Sequence, residues 1–247
     1  GSMDRKDAMG YGDNFLPVLM TSNPWALCES DARLLGFEDG VAPFAIGRLP
    51  ITNDDEGLDY VDNLIAHEMQ ASRGVPIQAA VVADNPDGGG DFHAAADQLA
   101  TQLLDVDFTS VMKLYHPNDM VRASMVNPET WETGFISYSG HGSTTQIGNS
   151  RENFILATDA MALENHKYSV FAALTCAVGS DALPGTRSLA GALVLNPHGG
   201  AIVSLAPTGL SSNKDAHILG RTFIYNLYGG YSTTGDALAQ AKEQTAG

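Results

Sequence analysis

The sequence predicts an α/β fold, a mostly parallel sheet with helices on both faces. Two observations predict it. From residue 77 onward, short continuous apolar runs (Val81-Val82-Ala83, Ser169 to Leu174, Ala201 to Leu205) alternate with longer segments of helical periodicity. Strands without polar alternation are buried on both faces, which is the habit of parallel sheets covered by helices.

Taken in order, residues 1 to 40 are rich in Gly, Asp and Asn and read as irregular. The apolar segment Phe44-Ala45-Ile46 ends at Gly47-Arg48-Leu49-Pro50. A helix follows: Thr52 or Asn53 can cap it, and Asp54, Asp55 and Glu56 fill the first turn. Leu58, Val61, Leu64 and Ile65 then recur at helical spacing. Gly74 and Pro76 punctuate the chain and divide it into a smaller partial N-terminal subdomain (1–75) and a larger one (76–247). In the larger part, the strand through Val81-Val82-Ala83 runs into the loop Asp84-Asn85-Pro86-Asp87-Gly88-Gly89-Gly90, and Asp91 opens a helix to about Leu104. Further strands are expected at 108–115, 134–138, 169–174 and 201–205, and helices near 157–164, 186–195, 214–227 and 235–245. The stripe Leu219, Phe223, Leu227 reads as helix core.

Composition narrows the function. The 247 residues carry a formal charge of −16, which repels phosphate and favours cationic ligands such as basic peptides, so nucleic acid is excluded as a partner. No apolar run is long enough to span a bilayer. The two cysteines, Cys28 and Cys176, cannot build a disulfide framework, and no Cys/His spacing suits zinc. The acidic stretches 53–56 and 84–91 could hold calcium as a structural ion, although solvated loop acids are the simpler reading. Gly1-Ser2-Met3 reads as a cloning scar.

An open sheet binds ligands beyond the carboxyl ends of its strands. Three segments fall there: the Asp/Gly loop, Ser139-Gly140-His141-Gly142, and Thr175-Cys176-Ala177-Val178-Gly179. A thiol attacks as thiolate, and a neighbouring imidazole is the usual means of forming it. Cys176 and His141 follow two buried strands and would emerge on one edge. The amides of Gly142 and Cys176 could form an oxyanion hole. Singly, a cysteine at a strand end is usually a small buried hydrophobe and Gly-His-Gly a turn. Together they set acyl transfer evenly against that structural reading. The other histidines (67, 93, 116, 166, 198, 217) lack this context, and Cys28 reads as a spectator.

Tyr138-Ser139-Gly140-His141-Gly142-Ser143 and Ala173-Leu174-Thr175-Cys176-Ala177-Val178-Gly179 resemble the His and Cys motifs of the gingipain family of cysteine peptidases. Ala45 to Pro50 with Ala66-His67-Glu68, Val82-Ala83-Asp84, and Ala206 to Ser212 are similar to the same family. The resemblance implies a caspase-like three-layer sandwich and cysteine endopeptidase activity by a Cys/His dyad without a required cofactor. It also implies a protein or peptide substrate cut after Arg or Lys. An acid in the first strand-end loop would orient the histidine; Asp84 fits best and Asp87 also fits. Asp91, otherwise a helix cap, would face a basic P1 side chain, with Ser139 and Leu174 lining the same pocket. The arginine-specific members cover that side chain with a tryptophan, where Gly209 stands here. The family further implies a bacterial secreted or cell-surface location, and an upstream segment of the same precursor as a partner. The rival expectations are another caspase-like branch of the CHAT type and a non-catalytic module that kept the fold.

Overall fold

The computed structural model describes residues 18–35, 44–71, 78–118, 120–149, 152–183, 185–230 and 233–245. The expected boundary at Gly74 and Pro76 lies outside them, as do the first residues. In chain order the elements are β1 (Met20–Ser22), β2 (Leu27–Glu29), a 3-10 turn (Asp31–Leu35), α1 (Asp54–Ala71), β3 (Gln78–Ala83), α2 (Phe92–Asp105) and β4 (Ser110–Tyr115). Next come α3 (Met120–Met125), α4 (Pro128–Trp131), β5 (Phe135–Ser139), β6 (Gly142–Ser143), β7 (Gln146–Gly148) and β8 (Asn153–Leu156). The chain finishes with α5 (Ala157–Ala160), β9 (Ser169–Leu174), α6 (Leu189–Val194), β10 (Ala201–Leu205), α7 (Asn213–Gly229) and α8 (Thr234–Thr245).

The main sheet has five parallel strands in the order β10-β9-β5-β3-β4. Winding reverses between β3 and β5, so the crevice beyond their carboxyl ends is the topological switch point. Side chains alternate across the sheet. Ala79, Val81 and Ala83 pack with Leu99 and Leu103 of α2, Phe223 of α7 and Ala237 of α8. Ala80, Val82, Ile136 and Tyr138 pack on the other face with Met125, Trp131, Phe154 and Leu189. Helix, sheet and helix make the three layers that the sequence predicts.

The differences have local causes. The antiparallel sheet β6-β7-β8 was not foreseen, because strands of two to four residues carry too little periodicity. The same holds for α3 and α4. Within 1–40, expected to be irregular, β1 and β2 pair antiparallel with Thr21 opposite Cys28. Asn23-Pro24 is a turn signal that marks this hairpin. Phe44 to Ile46 adopts no regular structure.

Candidate active site

Ser139 of β5 pairs with Leu174 of β9, so the next residues leave the sheet side by side, about 4.8 Å apart. Thr175 Oγ1 donates to Gly140 O at 2.7 Å and ties the two exits together. His141 and Cys176 therefore stand at one edge on neighbouring segments. Gly140 sits at φ 155°, and a Cβ there would lie 2.4 Å from the Tyr138 hydroxyl oxygen and 2.5 Å from Asp84 Cβ. Only glycine lets the chain turn this close to the sheet.

The carboxylate on the histidine is that of Asp87, whose Oδ2 lies 2.7 Å from His141 Nε2. Asp84, the acid that fitted best from sequence, does not reach the ring. Its side chain turns under Gly140, is 1% exposed, and accepts from the Asn85 amide while its other oxygen has no partner among the described residues. The reason is the turn that follows. Asp87 and Gly90 exchange backbone bonds, Asp87 Oδ1 accepts from Gly89 N at 2.7 Å, and Oδ2 is left facing the imidazole. The hydrogen bond to His141, helped by the Gly89 amide, holds the Asp87 carboxyl below the usual carboxylate range. Buried Phe92 meets the imidazole edge-on, with ring centroids 5.4 Å apart. Since a carboxylate only accepts, Nε2 carries the proton and Nδ1 remains for exchange with a reacting group.

Cys176 is held by the loop after β10. Ser211 N donates to Sγ at 3.5 Å, and Sγ lies 3.6 Å from Ser211 O. The following residue, Ala177, takes φ 54°, a conformation a residue with a side chain adopts only when its surroundings impose it. Ala177 N bonds Gly209 O at 3.0 Å, and Gly179 N bonds Pro207 O at 2.9 Å, which supplies that imposition. Among the described residues no hydrogen bond joins Sγ to the imidazole. Each is bonded to its own support.

The two expected oxyanion donors have no acceptor among the described residues. The bond from Gly148 N to His141 O makes Gly142 and Ile147 a non-hydrogen-bonded pair, so the Gly142 N–H points away from β7. The Cys176 amide has no backbone or side-chain acceptor among the described residues.

The expected substrate residues separate. Asp91 caps α2 by accepting from Ala94 N at 2.9 Å. Ser139 is buried, and its Oγ has no partner among the described residues. Leu174 lines a cavity of about 780 Å³ that also touches Thr175 and Ser211, with Glu29, Asp181 and Asp215 on its walls. Burial pushes the Glu29 and Asp181 carboxyls up. Gly209 is pressed against β2, where a Cβ would lie 2.5 Å from Cys28 Cβ. That space belongs to the hairpin. In the calcium candidates, Glu56 pairs with Arg187 and Asp87 with His141. Among the described residues no three His, Cys, Asp or Glu side chains converge to hold a metal ion.

The model of peptidase family C25 matches residues 1–247. No curated protein matches the chain. The structure of the Arg-specific cysteine proteinase gingipain R (RgpB) superposes with a TM-score of 0.72 at 18% identity, covering 92% of this chain and 55% of that one. The complex of Porphyromonas gingivalis RgpB pro- and mature domains gives 0.69 at 19% identity, covering 92% and 56%. A structure described only as a protease gives 0.54 at 14% identity, covering 75% and 39%. The chain thus spans little more than half the length of the gingipain structures it resembles.

Proposed function

The chain belongs to peptidase family C25, and from that premise we propose that it is a cysteine endopeptidase with Cys176 as nucleophile and His141 as its acid/base partner. The observation that carries this reading is the parallel register of Ser139 with Leu174, which sends imidazole and thiol off one edge of the sheet. The Cys176 thiolate attacks the scissile carbonyl, and the oxyanion is met by the Gly142 and Cys176 amides. His141 takes the Cys176 thiol proton on Nδ1 and passes it to the leaving amine, while Asp87 steadies the ring through Nε2. Water then resolves the acyl-enzyme, returning the acid and the thiol.

The preferred P1 residue in this reading is Arg or Lys. The net charge of −16 supports it, as do the carboxylates near the cleft: Asp91 at the head of α2, and Asp215 on the cavity wall. Asp91→Asn isolates the charge, since asparagine caps a helix as well as aspartate. A selective loss on Arg and Lys substrates is expected; equal loss on all substrates overturns the assignment. By analogy with the pro- and mature-domain complex of the relative, an upstream segment of the same precursor is the proposed partner, and a bacterial secreted or surface location goes with it.

The deciding measurement is cleavage of a fluorogenic peptide library varied at P1, wild type against Cys176→Ala, alongside iodoacetamide labelling. One hyper-reactive thiol and cleavage that depends on Cys176 are expected. A folded wild type without either makes the chain a binding module.

A further inference from the structure

We infer that the β1–β2 hairpin is a wall of the substrate cleft, and that Trp25 at its turn selects a large apolar side chain of the peptide near the scissile bond. This rests on the peptidase reading of Cys176.

The hairpin is tied to the segment that holds the nucleophile. Asn23 Nδ2 donates to Leu210 O at 2.8 Å, and the next residue, Ser211, is the one bonded to Cys176 Sγ. Thr208 Oγ1 donates to Glu29 O at 2.8 Å, and Cys28 packs against Gly209. Glu29 Oε1 in turn accepts from Ser180 Oγ and Ala182 N, beyond the nucleophile turn. Cys28 and Glu29 of β2 and Asn23 of the turn are thus engaged with the loops flanking Cys176.

The turn itself is fixed rather than loose. Asn23 Oδ1 accepts from the amides of Trp25 and Ala26, at 2.9 and 2.8 Å, and Asn23 N donates to Ala26 O. Along this chain of bonds Trp25 N lies within about 14 Å of Sγ, the span of about four extended residues. A peptide that extends from Cys176 toward the hairpin reaches this turn within about four residues.

What the turn presents is apolar. Trp25 is 55% exposed and Leu27 is 68% exposed, with Met20 and Leu210 also exposed beside them. A rigid indole on a pinned turn contributes contact area at little entropic cost, the property that makes tryptophan frequent at binding hot spots. The only carboxylate of the hairpin, Glu29, is directed inward to Ser180 and Ala182, so the tip offers no charge to a basic side chain.

The test is a substrate library with P1 held at arginine and the flanking positions varied among Gly, Leu, Phe, Lys and Asp. For Trp25→Ala, a loss of about 10- to 100-fold in kcat/KM is expected for peptides with Leu or Phe at one position, and little for those with Gly there. Trp25→Phe should retain most of the preference, and the alkylation rate of Cys176 should not move. Wild type that cleaves with a profile unchanged by Trp25→Ala overturns the inference and leaves the peptidase reading standing. A loss confined to Lys peptides overturns the apolar class. A second arm needs no turnover. Trp131 is buried, so iodide quenching of intrinsic fluorescence reads Trp25. In the Cys176→Ala chain, a peptide with Leu or Phe ahead of arginine should protect Trp25 and its glycine counterpart should not. Equal protection, or none, overturns the inference whether or not the chain cleaves.

Discussion

Helices α1 and α2 are both amphipathic by sequence, yet they use their faces in opposite ways. In α2, Phe92, Ala96, Leu99 and Leu103 are buried against the sheet, as the periodicity predicts. In α1, Leu58, Val61, Ile65 and Met69 are between 47% and 64% exposed. That helix docks by its polar side instead. Asn63 donates to Asn196 O and accepts from the Tyr168 hydroxyl, Gln70 donates to His166 O, and Glu56 pairs with Arg187. The difference teaches that periodicity reveals a helix and its stripe, while the direction of the stripe depends on what lies beside it. It also divides labour. The sheet body supplies apolar burial and the candidate site, and the N-terminal stretch attaches to it by directed polar bonds.

Substitutions sharpen this contrast, and the largest effect belongs to the body. Cys176→Ala should abolish cleavage, a loss of roughly 10⁴-fold or more, measured against an unchanged melting temperature. Next, Leu99→Ala should cost about 2–5 kcal/mol in denaturant unfolding, because it opens a cavity under β3. Ile65→Ala, the equivalent change on α1, should stay within about 0.5 kcal/mol; an equal cost at both sites would erase the contrast. The polar attachment predicts the reverse for Asn63→Ala, about 1–3 kcal/mol, since it strands buried partners on both sides.

A different effect separates the two acids of the loop after β3. Asp87→Asn should lower turnover by about 10²-fold, the low end of an acid–base contribution, with Asp84→Asn changing it far less. The pH dependence follows from the depressed Asp87 carboxyl. Its contribution is complete above the ordinary carboxylate pKa and fades as pH falls through the lower folded value. Being half exposed, the pair is screened, so wild type and Asp87→Asn should differ in stability by less than about 1 kcal/mol at neutral pH and converge in acid.

The sequence by itself determined the parallel α/β sheet, through continuous apolar runs, and marked His141 and Cys176 as a candidate pair, through their place after β5 and β9. Those signals are local, and the switch-point rule turns them into a site. The family resemblance placed an acid in the loop after β3 and preferred Asp84, whereas Asp87 is the one bonded to His141. Three residues apart in a glycine-rich turn, they differ only in which way the backbone bonds between Asp87 and Gly90 face them. Residues 1–40 read as irregular from sequence, because three-residue strands have no period to read. The tertiary structure decided these matters: the carboxylate on His141, the hairpin seated on Gly209, and the polar docking of α1. Each depends on partners far away in sequence, such as Ser211, Asn196 and Leu210, and spacing along one chain does not encode which distant groups will meet.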